Sequence, residues 1–175
     1  MSNSNRVLLD KNVARNFLSA LAKRVLAIPL AKGERTAFEL LNGETLKGKR
    51  IFIVAATDNV IKPFEKKYPD VRDFRDRVEI IVPTHYWRRW SRRLQRVGFT
   101  REDARILGIT TFGTDAEGSF LGVQEFLTFD KPLATLFEIA NEQIQKKLDA
   151  MKRDLEPPYD EAELPDVKLL GDEQE

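Results

Sequence analysis

Ile51-Phe52-Ile53-Val54-Ala55-Ala56 is an unbroken apolar run, framed by Lys49-Arg50 before it and Thr57-Asp58 after it. Six consecutive apolar residues suit a strand covered on both faces, as in the middle of a parallel sheet. A strand with one wet face would alternate polar and apolar residues, and this one does not. It therefore needs neighbouring strands and a layer of cover on each side.

Working outward supplies both. Residues 6–9 read as a buried strand, and 12–23 carry Val13, Phe17, Leu18 and Leu21 as a helical stripe. Residues 25–30 are a second strand candidate, interrupted by Pro29. Residues 34–42 read as a short helix stopped by Gly43, and 59–67 as a helix or an irregular turn around Pro63. A strand over 78–82 ends at Pro83. Helices over 84–97 and 101–112 follow, split by Gly98. The last strand is expected at 125–129 and the last helix at 134–151, striped by Leu136, Ile139, Ala140, Ile144 and Leu148. Strands alternating with helices imply an α/β fold: a three-layer α/β/α sandwich around a mainly parallel sheet. The expected division is a domain over 1–153 and an acidic, flexible tail over 154–175, which has too little apolar surface to offset its ordering entropy.

Composition removes several chemistries. With no cysteine there is no disulfide framework, thiol nucleophile or zinc-thiolate site. One histidine, His85, excludes multi-histidine metal sites, and it reads as a capping or packing residue. Gly113, Gly118 and Gly122 form no phosphate-binding fingerprint. The opening residues lack a charged-apolar-small leader, and the run 51–56 is too short to span a bilayer. The expectation is a soluble, cytoplasmic protein without membrane partners.

Four acids stand in distinctive settings. Asp10 closes Val7-Leu8-Leu9, Glu39 lies within Ala37-Phe38-Glu39-Leu40, Asp103 sits at the start of a helical pattern, and Asp130 ends Phe126-Leu127-Thr128-Phe129. Asp10 and Asp130 fall at carboxyl ends of strands, where ligands bind in open α/β sheets. Each acid also has a local explanation, as a helix cap for Asp10 and Asp130, a capping-box partner of Thr100 for Asp103, or an exposed helical residue for Glu39. Brought together, they would form a carboxylate cluster suited to a hard divalent cation.

The order and flanks of these acids resemble the PIN-domain family, metal-dependent ribonucleases of the VapC-like kind. The matching motifs are Leu9-Asp10-Lys11-Asn12, Phe38-Glu39-Leu40, Asp103-Ala104 with its small and apolar continuation, and Thr128-Phe129-Asp130. The resemblance covers residues 6 to about 137. It departs over 46–77, where an extra strand and a charged linker intervene, and it is weakest around Glu39, so that Glu34 or Asp58 are substitutes and Glu102 a spare carboxylate. The resemblance implies that Asp10, Glu39, Asp103 and Asp130 are catalytic and hold Mg²⁺ or Mn²⁺, with Asn12 and Thr128 orienting them. It also implies RNA hydrolysis by a metal-activated water, and it leaves room for a toxin role, a protein inhibitor (an antitoxin) and a homodimer.

A second feature is the segment 86–97. Trp87, Trp90, Leu94 and Val97 share one helical face, while Arg88, Arg92 and Arg96 form a row with Arg89 and Arg93 beside it. Such a ridge suits a phosphate backbone, an acidic partner, the acidic tail, or plain solvent. The alternative to a nuclease is a non-catalytic RNA- or protein-binding module that uses this helix, its acids serving as caps.

Overall fold

A computed structural model describes residues 4–171. Five strands, β1 (Arg6–Leu9), β2 (Arg50–Val54), β3 (Val78–Ile81), β4 (Glu125–Thr128) and β5 (Asp166–Leu169), form one sheet in the order β3-β2-β1-β4-β5. Every pairing is parallel. Parallel neighbours cannot be joined by hairpins, so each connection crosses over through helices. α1 (Lys11–Val25) and α2 (Lys32–Asn42) join β1 to β2, and α3 (Ala55–Ile61) and α4 (Pro69–Arg77) join β2 to β3. α5 (Trp87–Val97) and α6 (Arg101–Phe112) lead to β4, and α7 (Lys131–Ile139) and α8 (Asn141–Lys152) lead to β5.

The chain travels one way along the sheet from β1 to β3, then returns past β1 to place β4 and β5. Crossovers of one hand must then put the first four helices on one face and the last four on the other. The core divides accordingly. Val7, Leu9, Ile51, Ile53 and Leu127 pack with Phe17, Leu41 and Phe74 of α1, α2 and α4. Leu8, Phe52, Ile81 and Phe126 pack with Trp90, Leu107, Phe137 and Leu148 of α5 to α8. Alternate residues of each strand thus serve opposite layers, and the Ile51–Val54 run is apolar because both of its faces are covered. The molecule is a three-layer α/β/α sandwich with the strand order of PIN-like folds. No helix among the described residues is long and apolar enough to cross a membrane.

Four expectations are corrected. Residues 25–30 form no strand; they end α1 and make the turn into α2. The charged linker contains α4, which buries Val71 and Phe74. The helix expected over 134–151 is two helices meeting at Ala140. The acidic segment after residue 153 is no solvated tail within the described residues. Leu155 and Ala162 are buried, and β5 pairs along the edge of β4 through Val167↔Phe126 and Leu169↔Thr128. A free strand edge and an apolar shelf on α8 offset the ordering entropy that composition alone counts against it. The end of that expected tail, 172–175, lies outside the described residues.

Candidate metal centre

The sheet changes direction between β1 and β4. α1 leaves β1 toward one face and α7 leaves β4 toward the other, so a crevice opens at the carboxyl ends of these strands, the usual ligand position in such sheets. Asp10 follows β1 and Asp130 follows β4. Asp103, in the first turn of α6, approaches from the second layer. All three line one cavity of about 610 Å³.

Local rules place each of these carboxylates. Asp10 caps α1, its Oδ1 accepting from Lys11 N–H at 2.7 Å. Asp130 caps α7, its Oδ1 accepting from Leu133 N–H at 2.9 Å, with Pro132 tolerated in the first turn. Thr100 caps α6 by accepting from Asp103 N–H at 3.1 Å, which leaves Asp103 projecting from the helix start. Capping and a shared site are therefore compatible, since a cap uses only part of a carboxylate's acceptor capacity.

Thr128 and Asn12 join the two strand ends. The Thr128 hydroxyl donates to Asp10 Oδ2 at 2.6 Å and accepts from Asn12 Nδ2 at 3.2 Å and from Asp130 N–H at 3.0 Å. Asn12 Oδ1 accepts from Phe129 N–H at 3.1 Å. These bonds orient the Asp10 carboxylate and fix the backbone that carries Asp130.

Burial pushes the Asp10 carboxyl above its usual range, against the pull of Thr128 and the Lys11 N–H, and the charge of Asp130 adds to the rise. Asp103 is raised as well, by burial first. Thr100 opposes that shift, while the charges of Asp130, Asp10 and Glu102 reinforce it. The charge of Asp130 thus raises both Asp10 and Asp103, the kind of repulsion that a cation relieves.

The other candidates lie elsewhere. Glu39 is exposed on α2 and does not line the cavity. Glu34 is buried against α1, bound by Ser19, Lys23 and the Ala31 N–H. Asp58 is paired with Arg75 at 2.8 Å. Glu102 does line the cavity, and it pairs with Lys11 at 3.3 Å. Among the described residues, no three Asp, Glu, His or Cys side chains come together as a ready-made metal cage. Asp10, Asp103 and Asp130 could offer only oxygen donors, from three separate elements. That set suits an ion such as Mg²⁺, which keeps several waters and takes only one or two carboxylates directly.

Sequence reading missed the cations at this cavity. Arg15, Arg101 and Arg105 line it with the acids. Their signal is the spacing of Arg101 and Arg105, one turn apart on the helix that carries Asp103. Arg105 also lies over the Trp87 ring at 5.8 Å, with Arg88 over the same ring at 5.3 Å, so the rim of the cavity adjoins the start of α5. A Cβ on Gly108 would meet the Trp87 carbonyl oxygen at 2.7 Å, so this close approach of α6 to α5 requires glycine. On α5, Trp90 and Leu94 are buried while Arg88, Arg89, Arg92 and Arg96 are exposed and Arg93 is half-buried. The acidic C-terminal segment reaches this ridge at Arg89, which lies 3.5 Å from Asp154.

Fold and cavity together define a three-layer α/β/α scaffold, with the strand order of PIN-like folds and carboxylates at its switch point. No family model, curated protein or solved structure matches the chain.

Proposed function

We propose that this protein is a metal-dependent ribonuclease, with Asp10, Asp103 and Asp130 as its metal-holding carboxylates. The observation that supports this reading above all is that three acids far apart in sequence line one cavity at the switch point of the sheet. Asp10, Asp103 and Asp130 would hold a divalent ion there, which would supply a water of lowered pKa and neutralise charge on a phosphodiester. The chain's own residues do the rest. Thr128 holds Asp10 in one orientation, so that the carboxylate need not reorganise when charge arrives beside it. Arg15, Arg101 and Arg105 attract the phosphates that the acids would otherwise repel. From Arg105 the substrate strand has a route across Trp87 to Arg88, Arg92 and Arg96, which bind it through its backbone and therefore without strong sequence preference. Glu39 has no part in this site.

The test is cleavage of a mixed set of single-stranded and structured RNAs in Mn²⁺, Mg²⁺ and EDTA. The wild type should cleave with either metal and stop in EDTA, and Asp10→Asn should lose at least 100-fold in rate. Metal-independent cleavage, or an Asp10→Asn variant as active as wild type, would overturn the reading. RNA binding without cleavage would reassign the protein as a binding module.

A further inference from the structure

The turn between α1 and α2 is the most apolar exposed segment among the described residues. Val25, Leu26 and Ile28 are 72%, 68% and 46% exposed, and Ala27 and Pro29 between and beside them are exposed as well. From Val25 to Ala31 no side chain can form a hydrogen bond. Exposing such a run to water is unfavourable, and contiguous exposed apolar surface of this kind marks an interaction site.

Most N–H groups of the tip are paired within the turn. Leu26 N–H donates to Ala22 O at 3.4 Å, Ala27 N–H to Arg24 O at 3.2 Å and Ile28 N–H to Lys23 O at 2.9 Å. Pro29 has no N–H, and Ala31 N–H donates to Glu34 Oε2 at 2.8 Å. The N–H groups of the tip are thus mostly paired, while the carbonyls of residues 25–30 accept no bond among the described residues, which suits the hydrated interface of a bilayer and not its hydrocarbon core. Ala27 adopts φ +53, a conformation that favours glycine, yet the position carries a methyl group.

Cations flank the tip along the chain. Arg24 precedes it, Lys32 and Arg35 follow it, and all three are exposed. Neither Lys32 nor Arg35 has an ion pair among the described residues. Glu34, the acid between them, is turned inward onto Lys23. The turn thus presents exposed apolar side chains flanked along the chain by exposed cations, of which Arg24 also stacks on the Phe38 ring at 4.3 Å.

We infer that this turn is a peripheral membrane anchor: its apolar tip inserts into the interface of an anionic bilayer while Arg24, Lys32 and Arg35 contact the headgroups. Two considerations favour a lipid surface over a protein. A single tip exposes on the order of a few hundred Å² of apolar surface, well short of the roughly 800 Å² per partner in a stable complex. A second copy would bring the same flanking cations against these. A bilayer takes up a small convex tip without a matching pocket and attracts each nearby cation.

The test is sedimentation of the full chain with vesicles of phosphatidylcholine alone or with about one third phosphatidylserine. The wild type should pellet with the anionic vesicles and stay in solution with the neutral ones. Leu26→Ser/Ile28→Ser leaves the charge unchanged, including that of the α5 arginines, and should reduce binding at least fivefold. Lys32→Gln/Arg35→Gln should weaken it to a similar degree, and both variants should keep the wild-type circular dichroism spectrum. Failure of the wild type to bind anionic vesicles, or equal binding by the serine variant, would refute the inference. Wild-type dimerisation that the serine variant abolishes, without vesicle binding, would assign the tip to a second copy instead.

Discussion

The Thr128 hydroxyl has one proton and two lone pairs, and the structure uses all three, on Asp10, Asn12 and the Asp130 N–H. Valine has nearly the same shape but can make none of these bonds. Thr128→Val should lower stability by about 1–3 kcal/mol in urea unfolding, because it leaves part-buried donors unpaired. It should also push the Asp10 carboxyl higher still, since a donor that favours the charged form is gone, and reduce cleavage by about 10–100-fold. At this scale much was legible in the sequence. Asp10, Asn12, Thr128 and Asp130 are short-range features of two strand ends, and each sits where a cap or turn residue belongs. Glu39 was not legible. A Glu-Leu pair on a helix carries no mark of which way the helix faces, and here the glutamate faces outward.

Between elements, Glu34 ties the start of α2 to α1. Hydrogen bonds from Lys23, then Ser19, then the Ala31 N–H hold its carboxyl down to about 2. An acid whose folded pKa lies below its unfolded value stabilises fully above the unfolded value, and that contribution is lost as pH falls through the folded one. Between about pH 4.5 and pH 2 the wild type should therefore lose stability relative to Glu34→Gln, as read by chemical unfolding at several pH values. Equal slopes for the two proteins would contradict this pairing. The element-scale misreadings share a cause. Val25 to Leu30 has strand composition, but Pro29 and the close of α1 turn it into a protruding tip. Ala140 breaks a helix without a Pro or Gly signal, because Leu133 and Phe137 on one side and Ile144 and Leu148 on the other must each reach the same core layer. β5 reads as polar because it is an edge strand, and its pairing with β4 is a non-local contact that no short window contains.

At the scale of the whole molecule, Glu125 holds the amino-terminal ends of the strands together. Burial pushes its carboxyl up, but bonds from Lys168 and Lys49 outweigh this and hold it below the usual range, and Asn5 also donates to it. Removing residues 154–175 would take away Lys168, uncover the edge of β4 and expose the surface that buries Leu155 and Ala162. That truncation should lower the melting temperature by more than 10 °C or abolish soluble folding, whereas a dispensable tail would leave thermal melting unchanged. The alternation of buried strands and helices was enough to foresee three layers, since it follows from local periodicity. The order of the strands, and hence the meeting of Asp10 with Asp130, depends on where the chain reverses direction, which local periodicity does not encode. The proposed metal seat consists of Asp10, Asp103 and Asp130, without Glu39. Titration of Mn²⁺ into the full chain, followed by electron paramagnetic resonance, tests it most directly. Saturable binding should weaken at least tenfold in Asp103→Asn and remain unchanged in Glu39→Gln. Binding that survives Asp103→Asn intact, or that disappears in Glu39→Gln, would contradict it.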